Sequence, residues 1–188
     1  MSDSSIAHDT DRVGPRSIPW PLSLLLGALV VALSAQVALP VPFSPVPMTL
    51  QGLAVILVGG VFGAAAGAGA MVLYLLAGIF GAPVFAMGGS GLARLLGPTG
   101  GYLLAFPVAA IVSGAVAERG QLTRCFLGAL AAMLVIHLGG WAQLALLSGT
   151  ATRAATLGVA PFLVQDLLKV VIAALVLWRA HHALRPRA

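Results

Sequence analysis

An all-α integral membrane protein that crosses the bilayer six times, with both termini cytoplasmic, is the fold class this sequence predicts. Three observations predict it. Of the 188 residues, 60% are apolar and 8% charged, whereas soluble domains average about 45–50% apolar and about 25% charged. Between residues 17 and 93 no side chain is charged, and that stretch far exceeds the roughly 20 residues one spanning helix needs. The arginines, finally, divide unequally between the two sets of loops that alternate crossings create. The same composition excludes disorder and a collagen-like repeat, and the single cysteine, Cys125, excludes an internal disulfide. The net charge of +5 does not point to nucleic acid, because the ten basic residues are scattered, with no basic stripe interleaved with stacking aromatics.

The first crossing is predicted over residues 20–39 and ends at Pro40, Pro42, Pro45 and Pro47, each of which lacks the backbone donor a helix needs. A cleavable signal peptide is the competing reading, with Ala32, Leu33 and Ser34 as a small-residue cleavage site. Against it, the apolar run continues to Leu39, and its loss would leave five crossings. Residues 50–62 and 64–80 give the second and third crossings, which meet at Gly63. The second reaches only about 20 Å as a helix, so it is expected to be buried among its neighbours or to lean on the proline loop. Residues 81–101, rich in Gly and Pro, form one long loop, and loops of that length usually carry function. Crossings four, five and six follow over 101–117, 125–147 and 161–178, the last opened by a proline suited to a first helical turn.

A six-helix domain over 20–180 thus lies between a flexible cytoplasmic tail at 1–19 and a basic cytoplasmic tail at 181–188. The tails and the loops on their side carry Arg12, Arg16, Arg119, Arg124, Arg179, Arg185 and Arg187, and the opposite loops only Arg94 and Arg153. That bias puts the termini inside and the 81–101 loop outside.

Ionisable residues inside a crossing cost about 2.5–3.5 kcal/mol each near the helix centre, so each needs a reason. Two stand clearly inside: Asp166 and Lys169, three apart on one helical face, the latter the only lysine of the chain. Lipid offers neither a partner, so their face points into the bundle. They form either an ion pair that fixes packing or an acceptor and a donor for a ligand with amide N–H and carbonyl groups. Asp166 also lies within two turns of Pro161, where a helix N-terminus favours negative charge. Arg94 reads either as an interfacial anchor or as a guanidinium offered to a carboxylate, with the backbone of Gly88, Gly89 and Gly91 able to approach the same ligand.

Ala28, Ala32 and Ala35, with Gly27, recur along one face of the first crossing, a pattern of close packing within the chain or of docking against another membrane subunit. His137 reads as a hydrogen-bonded core histidine, since no second ligand stands at metal-binding spacing, and His181 and His182 read as solvated tail residues. Neither a metal site nor a resident cofactor is predicted. The lone lysine follows Leu168, so no GxxxxGK[ST] loop exists, and uphill transport would need an energised partner or an ion gradient.

The runs VPFSPVPMTLQ (41–51), GAPVF (81–85), GGSGL (88–92) and LGPTGGY (96–102) closely resemble the BioY family, the biotin-binding S components of energy-coupling factor (ECF) transporters. The likeness covers roughly residues 24–177. PFLVQDLLK (161–169) resembles the family's P-F-x-P-G-D-x-x-K stretch and departs from it at Val164 and Gln165, where Pro and Gly are usual. The resemblance implies a six-helix, ECF S-component-like bundle in the cell membrane, surrounded by lipid. It would capture biotin from outside and work with a transmembrane coupling subunit and two cytosolic ATPases, with homo-oligomerisation left open. It further implies that Asp166 and Lys169 contact the ureido end and Arg94 the valerate carboxylate. Phe85, Tyr102, Gln51, Gly88, Gly89 and Ser90 would belong to the pocket, and the face of Ala28, Ala32 and Ala35 would be the coupling surface.

Two rivals stand beside this reading. One is an S component for another vitamin. The other is a rhomboid-like intramembrane serine protease with Ser90 as nucleophile and His137 as base, which suffers from the absence of any Asn from the chain.

Overall fold

The computed structural model of the chain describes residues 18–183, so most of the tails predicted at 1–19 and 181–188, with Arg12, Arg16, Arg185 and Arg187, lies outside the described residues. The fold is mostly helical. Six helices make the bundle: α1 (Trp20–Gln36), α2 (Gln51–Phe62), α3 (Ala64–Ile79), α5 (Gly100–Ala117), α6 (Leu122–Ser148) and α8 (Leu163–Ala183). Two short ones, α4 (Leu92–Leu96) and α7 (Ala151–Gly158), sit in the connections. Among the described residues, three runs are long and apolar enough to cross a membrane, namely α5, α6 and the stretch Ala151–Ala183 that includes α8. Helices α1, α2 and α3 are equally apolar but have 17, 12 and 16 residues.

Small residues let these helices approach closely, since lipid gives apolar side chains no reason to prefer protein and packing must supply the attraction. Along α1, Ser23, Gly27, Val31 and Ala35 are buried, four apart, and a Cβ on Gly27 would lie 2.7 Å from that of Ala70 on α3. Helices α2 and α3 cross at Gly59 and Gly67, where a Cβ on Gly67 would come within 2.7 Å of the Gly59 Cα. Ala110 and Gly114 of α5 close the same junction. Gly101 and Gly139 bring the backbones of α5 and α6 together, and Gly140 receives the ring of Tyr102. The short α2 is the central helix, packed against α1, α3, α5, α6 and α8, which is how 12 residues are accommodated without spanning alone. It turns into α3 at Gly63, whose φ of 86° and ψ of 167° are accessible only to glycine.

The structure corrects several predicted boundaries. The first helix ends at Gln36 rather than 39, because Ala38 and Leu39 pair antiparallel with Met48 and Thr49 as strands β1 and β2. The prolines between them thus form the tip of a hairpin. The 81–101 loop is partly helical, with a 3₁₀ turn at Ala86–Gly88 and Arg94 carried on α4. The connection after α6 holds the unforeseen α7, and α6 starts three residues earlier than predicted. Helix α8 runs to Ala183, so His181 and His182 lie in its last turn; the His182 ring packs on Trp178 at 5.1 Å.

Ala35 is fully buried, while Ala28 and Ala32 are half-buried against the core. The buried stripe of Gly27, Val31 and Ala35 therefore packs inside the chain, Ala28 and Ala32 lie along its edge, and leucines such as Leu25, Leu29 and Leu33 cover the outer side.

Candidate functional site

The starts of α2, α5 and α8 and the ends of α1, α3 and α6 meet at one end of the bundle, with the loops folded over them. The turn carrying Arg119, the first turn of α6 with Arg124 and the segment of α8 carrying Arg179 lie at the opposite ends of these helices. Each loop is fastened by a side chain that donates to a carbonyl. Ser44 Oγ donates to Leu157 (2.6 Å), Tyr102 Oη to Gly158 (2.6 Å), and Gln143 Nε2 to both Leu95 (2.8 Å) and Gly97 (2.6 Å). At the end of α1, Gln36 accepts from the Gly88 N–H at 3.2 Å and donates to the Phe85 carbonyl at 3.4 Å.

Beneath these loops lies a partly open cavity. Its apolar wall includes Val46, Phe85, Leu103, Phe106, Met133 and Ile136. Phe85 is fixed edge-on to Tyr74, with ring centroids 5.5 Å apart, and fits the space left by Gly78. The Tyr74 hydroxyl accepts from Gln51 Nε2 at 2.8 Å and donates to the Val84 carbonyl at 3.1 Å, tying α2, α3 and the loop together.

The charges gather on one side. Asp166 and Lys169 are both buried, and Lys169 Nζ donates at 2.7 Å to Asp166 Oδ1 and at 2.7 Å to the Thr49 carbonyl. The only lysine thus bridges α8 to strand β2, 120 residues away in sequence. The second carboxylate oxygen, Oδ2, stands 3.0 Å from His137 Nε2 on α6. That approach is off the line of a hydrogen bond, and neither ring nitrogen of His137 has a hydrogen-bond partner among the described residues.

His137 corrects the sequence reading: it is buried, but it belongs to the Asp166 cluster and lines the cavity rather than being satisfied in the core. A histidine 29 residues from an aspartate carries no spacing signal that would have revealed this. A carboxylate between two basic groups can accept further hydrogen bonds, since its two oxygens offer about four lone-pair sites.

Arg94 lines the cavity from α4, largely exposed, with its guanidinium against Gly89 and no ion pair among the described residues. A side chain at Gly89 would displace it: a Cβ there would lie 2.5 Å from Arg94 Nε. Of the sequence-predicted pocket residues, Arg94, Asp166, Lys169, Tyr102, Phe85 and Gln51 come together around the cavity. Gly88, Gly89 and Ser90 do not line it. Gly88 and Gly89 spend their N–H groups on Gln36 and the Ala86 carbonyl, and Ser90 is exposed. Ser90 thus lies outside the cavity, while His137 is buried against Asp166, and no hydrogen bond joins the two. Thr49, Thr99, His137, Phe162 and Gln165 are lining residues that the sequence reading left out.

An apolar helical bundle with a buried ion cluster at one end defines a class, that of the multi-pass membrane proteins. The fold has a close counterpart. The crystal structure at 2.1 Å of the S-component for biotin from an ECF-type ABC transporter superposes with a TM-score of 0.79 over 87% of this chain and 91% of that one, at 20% identity. The family is set by sequence: the BioY family model matches residues 12–186, and the chain belongs to the BioY family, whose members are transporter components and not enzymes. Among its relatives, the probable biotin transporter BioY of Pyrococcus horikoshii is 43% identical over 152 residues, covering 80% of this chain and 91% of that protein. The biotin transporter BioY of Rhizobium etli is 35% identical over 164 residues, covering 82% and 88%.

Proposed function

We propose that this chain is the substrate-capture subunit for biotin uptake, and that it binds biotin in the cavity between α2, α5, α6 and α8. The observation that carries this reading is the cavity's chemistry. It has a guanidinium from α4 with no ion pair among the described residues, a carboxylate–ammonium–imidazole cluster on α8 and α6, and aromatic and aliphatic walls between them. Biotin has a carboxylate, a cyclic urea and an apolar thiophane ring in between. Arg94 meets the carboxylate, and Asp166 and Lys169 meet the urea.

The six bundle helices are six crossings, with the tails cytoplasmic and the cavity open to the outside. The arginines at the far ends of α5, α6 and α8 support that orientation. Delivery inward falls to an ECF module of one transmembrane coupling subunit and two cytosolic ATPases. The coupling face is the outer stripe of α1 formed by Leu25, Ala28, Leu29 and Ala32, with Ala35 left to internal packing.

The test is an equilibrium titration of the purified chain in detergent or nanodiscs against biotin and a panel of other vitamins. Biotin is expected to bind with a nanomolar to low micromolar Kd and to outcompete the rest of the panel. Tight binding of another vitamin with no response to biotin would refute the assignment and favour an S component of different specificity.

A further inference from the structure

Most polar groups around the cavity are already engaged by protein. Lys169 is bonded to Asp166 and Thr49, Gln51 Nε2 to Tyr74, and the Tyr102 hydroxyl to Gly158. Gln165, like His137, is not: it lines the cavity, is half-buried, and makes no hydrogen bond to any described residue. It stands three residues after Phe162 and four before Lys169, so it shares with them and Asp166 the stripe of α8 turned to the cavity. Its other neighbour in sequence, Val164, is on the outer face and 86% exposed. Its carboxamide is reached by solvent in the open cavity, so its donors and its acceptor are available to whatever enters there.

We propose that Gln165 is a specificity-determining residue of this chain, reading one edge of a cyclic urea. In such a ring the N–H and C=O are held cis, side by side. A primary carboxamide presents the matching pair, so its N–H donates to the urea carbonyl while its own carbonyl accepts the urea N–H. A carboxylate cannot do this, because it only accepts, and an ammonium cannot, because it only donates. Asp166 and Lys169 thus supply charge to the urea, and Gln165 supplies the directional, two-sided contact. The inference rests on the biotin reading and adds to it a residue that lies where the P-F-x-P-G-D-x-x-K stretch has glycine.

Two ligands separate the ideas: biotin, and biotin methylated at a ureido nitrogen, which spoils one N–H/C=O edge. Gln165→Met keeps side-chain volume without donor or acceptor, and Gln165→Ala serves as a second variant should methionine crowd the cavity. Gln165→Met is expected to bind biotin about tenfold to a hundredfold more weakly, the worth of two neutral hydrogen bonds. The wild-type preference for biotin over the methylated ligand should shrink by a similar factor, with thermal stability held within a few degrees.

A Kd within about twofold of wild type in both variants overturns the proposal, as does an equal loss for the two ligands, which would mark Gln165 as mere packing. Failure of the wild-type chain to bind biotin overturns the biotin reading itself and this inference with it. Loss of selectivity in the variants alone, with wild-type binding intact, supports both.

Discussion

Lys169→Met is expected to weaken biotin binding by about 2–5 kcal/mol and to destabilise the fold by about 3–5 kcal/mol. Both losses have the same origin. The ammonium holds Asp166 and the Thr49 carbonyl at 2.7 Å each, so its removal leaves a buried carboxylate facing only His137 and a strand carbonyl without its donor. Breaking a buried pair from one side costs more than removing both partners, because the orphaned charge stays out of water. The double variant Asp166→Leu/Lys169→Met is therefore expected to regain most of the thermal stability lost in the single variant while binding stays lost. Thermal melts and biotin titrations on the same preparations separate the two. If the double variant regains binding as well, the pair serves packing only, and the site lies elsewhere in the cavity.

Arg94→Ala is expected to behave in the opposite way, losing affinity without losing stability. The guanidinium is largely exposed, makes no ion pair among the described residues and is carried on a five-residue helix at the cavity rim. Its removal should leave the melting temperature within a degree or two. A charge-assisted contact to a carboxylate contributes about 1.5–3 kcal/mol, so biotin affinity should fall roughly tenfold to a hundredfold or slightly more. Biotin amide, which has no carboxylate, should bind wild type and Arg94→Ala equally. Arg94→Lys should recover only part of the loss, because an ammonium cannot make the bidentate contact. An equal loss for acid and amide would show that Arg94 does not meet the carboxylate.

What was legible in the sequence is what local rules determine. The helical runs follow from composition, and their ends from Pro and Gly. The Asp166–Lys169 contact follows from three-residue spacing in an apolar helix, and the structure places it at 2.7 Å. Features set by tertiary contact were not legible. The β1–β2 pairing that shortens α1 has two residues per strand, too few for an alternating pattern to register. His137 gains its role only because α6 and α8 pack side by side. Ala35 and its neighbours have the composition of any close helix contact, so spacing alone does not distinguish a face turned inward from one offered to a partner. The glycines at 88 and 89 looked like a ligand cradle because of their residue type, yet their N–H groups close the loop on itself and on Gln36.

The buried ion cluster on α8 and the guanidinium on α4 are expected to hold the two polar ends of one biotin molecule. A structure of the chain crystallised or imaged with biotin tests it most directly. The expected density fills the cavity under the 81–101 loop, with the urea within hydrogen-bonding distance of Asp166 or Lys169 and the carboxylate against Arg94. Biotin bound outside this cavity, or within it but touching neither Arg94 nor the Asp166–Lys169 pair, would contradict the account.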